Sequence, residues 1–470
     1  MCRKINEIVE GVAMDNFYTL ILAAGLGKRM KSKHPKVLHK VCERPMVEWV
    51  VRSAKEAGAK DVVVVLGHGA EEVKSALGDS VKYAYQEKQL GTGHAVMVSK
   101  DLLPDTGNIM ILTGDTPLIM SETLKKFYNF HLKEQNSITV LSSFFDVPDG
   151  YGRIVRDVNG NVLKIVEDKD ADDAIKGIHE INSGMYIFNS DYLKKSLQYI
   201  NNNNAQGEYY LTDAVEIVIR LGGKVGAYSA PNEEIMGVNT RVQLQEAEKA
   251  MRRRINKRLM LDGVTIIDPD NTYIGPDVVI GMDTIIYPGT RIEGKTSIGE
   301  DCEIGPNSYI INSEIGNGCR IIFSMITESK LYNNIKLGPF AQIRPESVIH
   351  NNAKLGNFIE IKKSVIGEGT KVPHLTYIGD AEVGKRVNMG CGSIVVNYDG
   401  KKKHKTIIGD DVFVGCNVNL VSPVKINNNA FIAAGSTITD EVPDGALAIA
   451  RCRQTNKEGW VEERRKKGGL

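Results

Sequence analysis

A glycine-rich segment near the start of the chain contains the residue types that hold a triphosphate. It reads LAAGLGKRM over residues 22–30, follows an apolar run, and is followed by PKVL at 35–38. Gly25 and Gly27 allow a tight turn that brings backbone N–H groups close to a ligand, while Arg29 and Lys36 add fixed positive charge. The spacing is neither G-x-G-x-x-G nor that of a Walker A loop. An ordinary strand-to-helix turn with a basic face is the alternative.

A carboxylate at Asp115, directly after another apolar run, could hold Mg²⁺ against a triphosphate. A lone Asp after a strand is also an ordinary cap or turn residue, but the nearby phosphate loop favours metal binding. Gln86 and the turn that contains Gly91 and Thr92 are suited to holding a base or ribose. Polar clusters that could recognise sugar hydroxyls lie beside predicted strands, at Gly152, Glu167 and Asn182.

In the second half of the chain, His374 is a candidate general base. Imidazole is a common proton acceptor, and the cationic Arg344, Lys362 and Lys363 precede it and could hold a phosphate. A lone His in a repeat is also often structural or surface-exposed. Because no Ser-His-Asp or Cys-His arrangement is evident, direct acyl transfer to an amine is favoured over a covalent acyl-enzyme.

The elements that must position these residues differ between the two halves. From about Met14 to Thr240, short apolar strands such as 61–66 and 108–112 alternate with helical spacing at 46–57 and 121–133. This alternation predicts an open, mostly parallel, Rossmann-like α/β sheet, with ligands beyond the carboxyl ends of the strands. A single amphipathic helix follows and is predicted to link two domains.

Beyond this helix the apolar period is six residues, which predicts a parallel β-helix with one aliphatic residue per hexad inside. The chain from 397 to 405 (NYDGKKKHK) interrupts the period and is predicted to leave the coil as a surface loop. The aliphatic positions are Ile274, Ile280, Ile286, Ile292, Ile298, Ile304, Ile310; Leu337, Ile343, Ile349, Leu355, Ile361; Ile366, Val372, Ile378; Val383, Met389, Val395; and Ile408, Val414, Leu420, Ile426, Ile432, Ile438.

Composition narrows the class of protein. A formal net charge of +1 over 470 residues gives no reason to expect bulk binding to nucleic acid or an anionic membrane. Seven scattered cysteines without a C-x-x-C pair argue against a disulfide framework or a thiolate zinc site. The first thirteen residues do not resemble a secretory signal, and Met14 could be the natural start. We therefore expect a reduced, soluble, cytoplasmic protein.

Several motifs together resemble those of the bacterial bifunctional N-acetylglucosamine-1-phosphate uridyltransferase/glucosamine-1-phosphate acetyltransferase family. They are LAAGLGKRM with PKVL, QLGTGHA, GD at 114–115, GYGRI, IVEDKDA, EINSGMY and GVNTR, then PFAQIRP, NFIEIKK, HLTYIGDAEVG, NMGCG and NYDGKKKHKT. The resemblance implies a pyrophosphorylase domain followed by a left-handed β-helix that forms a homotrimer. The expected divisions are an extension at 1–13, the uridyltransferase domain at 14–240, a helical arm at 241–262 and the acetyltransferase domain with its tail at 263–470.

The resemblance also implies residue roles for uridylyl transfer, in which UTP and N-acetylglucosamine-1-phosphate give UDP-N-acetylglucosamine and pyrophosphate. Asp115 and Asn239 would bind Mg²⁺, Arg29 would face the departing pyrophosphate, and Lys36 would act beside it. The nucleotide and the sugar nucleotide would contact Leu22, Ala23, Ala24, Gly25, Lys36, Gln86, Gly91, Thr92, Gly152, Glu167, Asn182 and Asn239.

For acetyl transfer from acetyl-CoA to glucosamine-1-phosphate, the resemblance makes His374 the general base. The amino-sugar phosphate would contact Arg344, Lys362, Tyr377 and Asn388. Acetyl-CoA, at a site built between subunits, would contact Cys391, Asn397, Tyr398, Cys416, Ala434 and Arg451. Three residues depart from the family pattern: Thr113 replaces a common Tyr, and Cys391 and Cys416 replace a small Ala and Ser, which predicts sensitivity of acetyl transfer to thiol reagents.

Two other functions remain open at the level of sequence. One is a sugar nucleotidyltransferase with a single activity, whose β-helix serves only assembly or regulation. The other is a sugar-nucleotide sensor or scaffold without catalysis. His374, Lys362 and the 397–405 loop argue against the first, because a purely structural β-helix does not need them.

Overall fold

The computed structural model describes residues 17–469, so the predicted extension at 1–13 lies outside the described residues. The chain divides into two compact units, Met1–Met251 and Arg252–Leu470. This division falls within a single helix, Arg241–Leu261, in the segment predicted to be the linking arm. The domain bounds expected from the sequence stay a prediction.

The first unit contains a nine-stranded sheet and a separate two-stranded ribbon. The strands are β1 Tyr18–Leu22, β2 Lys40–Val41, β3 Arg44–Pro45, β4 Asp61–Leu66, β5 Lys82–Tyr85, β6 Asn108–Thr113, β7 Ile138–Phe144, β8 Gly152–Arg156, β9 Val162–Val166, β10 Glu180–Asn189 and β11 Val225–Ser229. The order across the sheet is β11-β7-β10-β6-β1-β4-β5, with β8 and β9 attached beside β10, and β2 and β3 form the ribbon.

Most neighbouring strands of the sheet core are parallel. The central strand β1 pairs in parallel with both β4 and β6, so the residues after β1 and after β6 emerge side by side. The exception is β10, which runs antiparallel to β6 and β7, while β8 and β9 form an antiparallel hairpin. The predicted α/β sheet is confirmed as mostly parallel.

Helices cover both faces of the sheet because alternate strand residues are apolar on each side. Ile21 and Val64 join a core with α1 and α4, whereas Leu20 and Val63 join a core with α3, α6 and α7. The helices are α1 Met46–Glu56, α2 Ala70–Leu77, α3 Thr92–Met97, α4 Ser121–Glu134, α5 Asp173–Lys176, α6 Ser190–Leu197, α7 Asp213–Arg220 and α8 Arg241–Leu261. Short 3₁₀ turns occur at Lys28–Met30, Lys36–Leu38, Gly78–Ser80, Lys100–Leu102, Asp168–Asp170 and Asn232–Ile235.

The second unit is a parallel β-helix whose short strands stack into three faces. Face 1 contains Thr265–Ile266, Ile285–Ile286, Glu303–Ile304, Arg320–Ile321, Lys336–Leu337, Asn388–Met389, Phe413–Val414, Phe431–Ile432 and Leu447–Ala448. Face 2 contains Tyr273–Ile274, Arg291–Glu293, Tyr309–Ile311, Met325–Thr327, Ala341–Ile343, Ile394–Val396, Asn419–Val421 and Thr437–Ile438. Face 3 contains Val279–Ile280, Ser297–Ile298, Glu314–Ile315, Lys330–Leu331, Val348–Ile349, Val365–Ile366, Ala381–Val383, Thr406–Ile408 and Val424–Ile426.

Two longer strands, Lys354–Lys362 and Lys371–Gly379, continue from face 1 around the corner into face 2. A 3₁₀ turn at Pro269–Asn271 precedes the coils, and a helix, α9 Trp460–Lys466, follows them. None of the helices in the described part of the chain is long and apolar enough to cross a membrane.

The aliphatic positions predicted from the six-residue period all point into the β-helix. Each is at most 6% exposed, and strand pairing places those of successive coils directly above one another. Where the period slips, the chain takes a step of five residues, and most of these steps lie at the corner between faces 2 and 3. Examples are Ile310 to Ile315, Ile361 to Ile366 and Ile378 to Val383. The 397–405 loop leaves the coil as predicted, and it does so at this same corner.

Candidate active sites

A cavity of about 480 Å³ lies in the first unit, where the chain leaves β1 and β6. It contains most of the residues predicted to bind the nucleotide and metal. These are Leu22, Ala23, Ala24, Gly25, Arg29, Lys36, Gln86, Gly91, Thr92, Asp115 and Asn239. The carboxyl ends of two adjacent parallel strands therefore converge on one site, as the sheet topology requires.

Two glycines shape the walls of this cavity. Gly27 has φ of +58°, and a Cβ there would lie 2.6 Å from the Cβ of Lys36. Gly91 has φ of +107°, and a Cβ there would lie 2.6 Å from the carbonyl oxygen of Tyr209. Both positions combine a backbone conformation that glycine favours with a close approach of neighbouring chain. The loop after β1 continues into a 3₁₀ turn rather than an α-helix.

Lys36 connects the two residues predicted to bind the metal. Its Nζ donates a hydrogen bond to Oδ2 of Asp115, and it donates another to Oδ1 of Asn239 at 3.0 Å. Asn239 is held in place because its backbone N–H donates to Oε1 of Gln243 at 2.8 Å, and the N–H of Val238 donates to the carbonyl oxygen of Asp115 at 2.9 Å. The carboxylate oxygen of Asp115 and the amide oxygen of Asn239 therefore converge on the ammonium group of Lys36.

These two oxygens fit a hard divalent cation that takes its other ligands from elsewhere. Mg²⁺ in nucleotide enzymes is commonly held by one or two carboxylates together with substrate phosphates and water. Among the described residues, no group of three or more His, Cys, Asp or Glu side chains could hold a metal ion. A metal held by Asp115 and Asn239 would therefore share its remaining coordination with the phosphates of a bound nucleotide.

Gln86 is fixed as part of the cavity wall. It is only 4% exposed, and its Nε2 donates to the carbonyl oxygen of Gly91 at 3.1 Å and lies 3.0 Å from Nδ1 of His94. The neighbouring Thr92 accepts a hydrogen bond from the backbone N–H of Leu211 at 3.1 Å. These contacts fix the orientation of Gln86 and of the turn at Gly91 and Thr92 toward the cavity.

A second cavity of about 490 Å³ contains Glu167 and shares Arg29 with the first. Glu167 lies against Gly152, since a Cβ on this glycine would be 3.5 Å from Oε2 of Glu167. Thr212 donates to Oε1 of the same carboxylate at 3.3 Å. Burial raises the pKa of Glu167. Burial also raises the pKa of the nearby Asp213, which reaches about 6. This cavity offers acceptor oxygens of the kind that bind sugar hydroxyls.

Asn182 lines neither cavity but organises the bend in β10. Its Nδ2 donates to the hydroxyl of Tyr186 at 2.8 Å, and its Oδ1 accepts from the backbone N–H of Gly184 at 3.0 Å. Gln89 and Glu208 also line the first cavity, although neither was among the predicted site residues. Gln89 lies within the QLGTGHA motif, whereas no sequence signal singled out Glu208.

In the β-helix, three of the four residues predicted to bind the amino-sugar phosphate lie together near the end of face 2. Arg344 donates from Nη1 to Oε1 of Glu360 at 2.6 Å, and Lys362 Nζ lies 3.4 Å from Oδ2 of Asp380. Tyr377 occupies the register position above Glu360 in the next coil. The fourth residue, Asn388, lies on face 1 and pairs with Phe413 and Lys371. A single chain therefore does not bring all four together.

The 397–405 loop meets this cluster. Asn397, predicted to contact acetyl-CoA, donates from Nδ2 to Oδ2 of Asp380 at 2.6 Å and to the hydroxyl of Tyr377 at 3.4 Å. The adjacent ammonium group of Lys362 lowers the pKa of Lys403 in the loop. Two lysines at this corner thus form a site suited to an anion. Tyr398 lies in the exposed loop, and its hydroxyl donates to the carbonyl oxygen of Gly400 at 2.7 Å.

His374 lies at the exposed corner between faces 1 and 2. Its Nδ1 is 2.7 Å from Oδ1 of Asn357, directly below it in the stack. Because an amide oxygen only accepts, Nδ1 carries the hydrogen, and in the neutral imidazole Nε2 then keeps a lone pair. The imidazole is thereby oriented with a basic nitrogen available for a substrate proton.

The residues predicted to line the acetyl-CoA path continue this corner column. Strand register on both sides of the corner aligns Asn357 with His374, then Cys391, Cys416 and Ala434 in successive coils. Arg451 lies next to the column, since a Cβ on Gly435 would be 3.7 Å from its Cδ. His374, both cysteines, Ala434 and Arg451 therefore lie along one edge.

Both units of the molecule match known protein families. Residues 18–233 match the nucleotidyl transferase family model, residues 303–396 match the GlmU-like C-terminal hexapeptide model, and residues 405–440 match the bacterial transferase hexapeptide model. The chain is 70% identical to the bifunctional protein GlmU of Thermoanaerobacter pseudethanolicus, over 97% of this chain and 100% of that protein. The chain belongs to the bifunctional GlmU family.

Other GlmU proteins match over nearly the same length. That of Caldanaerobacter subterraneus is 68% identical over 97% of this chain and 100% of its own, and that of Clostridioides difficile is 54% identical over 96% and 99%. A solved UDP-glucose pyrophosphorylase complexed with UDP-glucose is 19% identical, with a TM-score of 0.42, over 51% of this chain and 99% of that one.

Membership of the GlmU family confirms the resemblance and the function predicted from the motifs. The protein is a bifunctional enzyme of UDP-N-acetylglucosamine synthesis, with acetyltransferase and uridyltransferase activities. The nucleotidyltransferase unit is the Rossmann-like α/β unit, and the hexapeptide unit is a left-handed β-helix. Its substrates are small molecules.

Proposed function

We propose that the 480 Å³ cavity binds UTP and carries out uridylyl transfer. The observation that carries this assignment is the convergence of Lys36, Asp115 and Asn239 beside the glycine loop. The oxygen of N-acetylglucosamine-1-phosphate attacks the α-phosphorus in line, and pyrophosphate leaves. Lys36 and Arg29 stabilise the negative charge on the phosphates, so no protein nucleophile is required.

In this proposal Mg²⁺ is the metal, held by Asp115 and Asn239. When bound, it would supply positive charge that offsets the negative charge of the phosphates. Gln86, Gly91 and Thr92 orient the base and ribose, and Gly152 and Glu167 act on the sugar side, where Asn182 supports Gly152 by strand pairing. The carboxylate of Glu167 accepts hydrogen bonds from sugar hydroxyls, with Thr212 holding its other oxygen.

We propose that His374 is the general base of acetyl transfer. Its Nε2 removes a proton from the amine of glucosamine-1-phosphate, and the amine attacks the thioester of acetyl-CoA. Arg344 and Lys362 hold the sugar phosphate with Tyr377. Acetyl-CoA follows the column of Cys391, Cys416 and Ala434 to Arg451, with Asn397 and Tyr398 on its other side.

Two variants test this assignment of sites. Asp115→Asn keeps the shape but removes a charge, and we expect uridylyl transfer to fall by about two orders of magnitude or more while acetyl transfer is unchanged. His374→Ala should give the reverse pattern, with acetyl transfer reduced by about 10²–10⁴-fold. Unchanged acetyl transfer in His374→Ala would contradict the proposed base. Supplying glucosamine-1-phosphate, acetyl-CoA, UTP and Mg²⁺, and omitting each in turn, measures both reactions together.

We also propose that the protein is a homotrimer, with Asn388 and the Arg344 cluster contributed to one site by different subunits. The supporting observation is an exposed apolar ladder at the corner between faces 1 and 2. The rings of Phe340 and Phe358 stack 5.3 Å apart and are each 56% exposed, and the exposed Leu375 continues the ladder in the next coil.

Light scattering coupled to size-exclusion chromatography tests this assembly. The wild type should elute with three times the mass of one chain, and Phe358→Glu should shift it toward a single chain because a charge replaces an apolar contact. Val158→Glu is the matched control, since Val158 is fully exposed in the turn between β8 and β9. A wild-type monomer would contradict the proposal.

We also propose a cytoplasmic location for the protein, which cell fractionation would test.

A further inference from the structure

Cys391 and Cys416 occupy the same position in adjacent coils of the β-helix. Met389 pairs with Val414 before the corner and Ile394 pairs with Asn419 after it, so the register aligns the two cysteines. The backbone N–H of Asn417 also donates to the carbonyl oxygen of Cys391 at 2.7 Å. Stacked parallel strands are about 4.8 Å apart, which lies within the Cα separation of about 4.4–6.8 Å that a disulfide spans.

Both thiols are accessible to small reagents. Cys416 is exposed and Cys391 is partly exposed. The chain contains a buried counterpart of this pair, because Cys302 and Cys319 are also aligned in adjacent coils but are each only 1% exposed. The sulfur of Cys302 also donates to the carbonyl oxygen of Gly316 at 3.1 Å. The two pairs thus share their stacking and differ in access and hydrogen bonding.

We propose that Cys391 and Cys416 are a redox-active dithiol that closes to a disulfide by exchange with low-molecular-weight disulfides. The thiolate of one cysteine attacks the reagent's S–S bond, forms a mixed disulfide and releases one reagent thiol. The second cysteine's thiolate then attacks the protein sulfur of this mixed disulfide, so that the intramolecular S–S bond forms and the second reagent thiol leaves. Two protein thiols are oxidised and one reagent disulfide is reduced.

The position of the pair gives the bond a functional consequence. Cys391 lies one coil above His374, and Cys416 lies one coil below Ala434. This consequence rests on the proposed acetyl-CoA path. A disulfide here is expected to narrow the approach of the thioester to His374. Acetyl transfer should fall, whereas uridylyl transfer uses a different unit and should not change.

The test treats the folded, full-length enzyme with cystamine and then maps disulfides by mass spectrometry. The expected product is an intramolecular Cys391–Cys416 link, lighter by two hydrogen atoms, with Cys302 and Cys319 still reduced. Cys391→Ala should give instead a cystamine adduct on Cys416, and Cys416→Ser should give one on Cys391. Wild type that carries separate adducts on both cysteines, an intermolecular bond, or no modification would overturn the proposal.

Activity measured on the same samples separates this proposal from the proposed function. Loss of acetyl transfer that parallels formation of the link, and returns with dithiothreitol, supports the functional consequence. A complete link with unchanged acetyl transfer would overturn the consequence. Fully reduced enzyme without any acetyl transfer would instead contradict the proposed function of the β-helix, whether or not the link forms.

Discussion

Single contacts determine which atoms of the candidate sites are available for reaction. His374 has one ring nitrogen occupied by Asn357 in the neighbouring coil, which leaves the other free. Lys36 contacts two oxygens that lie 79 and 203 residues away in the chain. The sequence identified His374, Lys36 and Asp115 as separate candidates through residue type and motif. It could not show these contacts, because they depend on coil stacking and on how the chain returns to the cavity.

Asn357→Ala tests whether this contact positions the imidazole. Without the amide oxygen, the ring is free to rotate and to change its tautomer, so we expect kcat of acetyl transfer to fall by about 10-fold, the lower end of the loss seen when groups that orient a metal-ligating His are removed. KM for glucosamine-1-phosphate should change little. Uridylyl transfer and the thermal midpoint serve as controls, and an unaltered kcat for acetyl transfer would contradict the positioning role.

His131 makes stability depend on pH in the first unit. The side chain is 2% exposed and contacts Thr139 and Asn108, and burial lowers its pKa to about 4. Between pH 6.5 and 4 the unfolded chain binds a proton that the folded unit excludes, so stability is lost as pH falls through this window. A shift of this size corresponds to about 3 kcal/mol.

His131→Gln should therefore flatten the pH dependence of unfolding between pH 6.5 and 4. Fluorescence of Trp49, whose Nε1 donates to the carbonyl oxygen of Val41 at 2.8 Å, would follow the first unit during denaturation. His68→Gln is the control because His68 is exposed. If wild type and His131→Gln lose stability equally on acidification, the buried imidazole is not the cause.

At the scale of elements, the sequence was most informative where a period repeats. The six-residue spacing predicted the inward aliphatic column and the position of the extruded loop, because each coil imposes the same geometry on its residues. The antiparallel direction of β10 was not predicted, since a short apolar run such as 185–188 is compatible with either direction. Short polar contacts, such as that of Asn397 with Asp380, also carry no periodic signal.

The column makes a quantitative prediction for β-helix stability. Ile349 is completely buried on face 3, and Ile349→Ala should lower the free energy of unfolding by about 2–5 kcal/mol because it leaves a cavity in a stack with few alternative contacts. Ile407 lies on the same face but is 40% exposed, so Ile407→Ala should cost much less. Chemical denaturation of both variants provides the measurement, and equal losses would contradict the inward role of the hexad position.

At the scale of the whole molecule, each candidate site lies within its own compact unit, and each unit buries its own apolar residues. Because the sites depend on different residues, we expect a variant that is inactive at one to retain the other. Mixing Asp115→Asn with His374→Ala should then restore synthesis of UDP-N-acetylglucosamine from glucosamine-1-phosphate, with the acetylated intermediate expected to pass between molecules through solution. Coupled assays of pyrophosphate release would detect it. Failure of the mixture, with each partial reaction intact, would contradict this independence.

The corner between faces 2 and 3 changes length without disturbing the inward column. It has steps of five residues at Ile361 to Ile366 and Ile378 to Val383, and a step of thirteen from Val395 to Ile408. Deleting residues 398–405 would leave a five-residue step of the kind already present twice nearby. Insertions and deletions during evolution should therefore accumulate at this corner, and a new recognition loop could be grafted here without redesign of the stack.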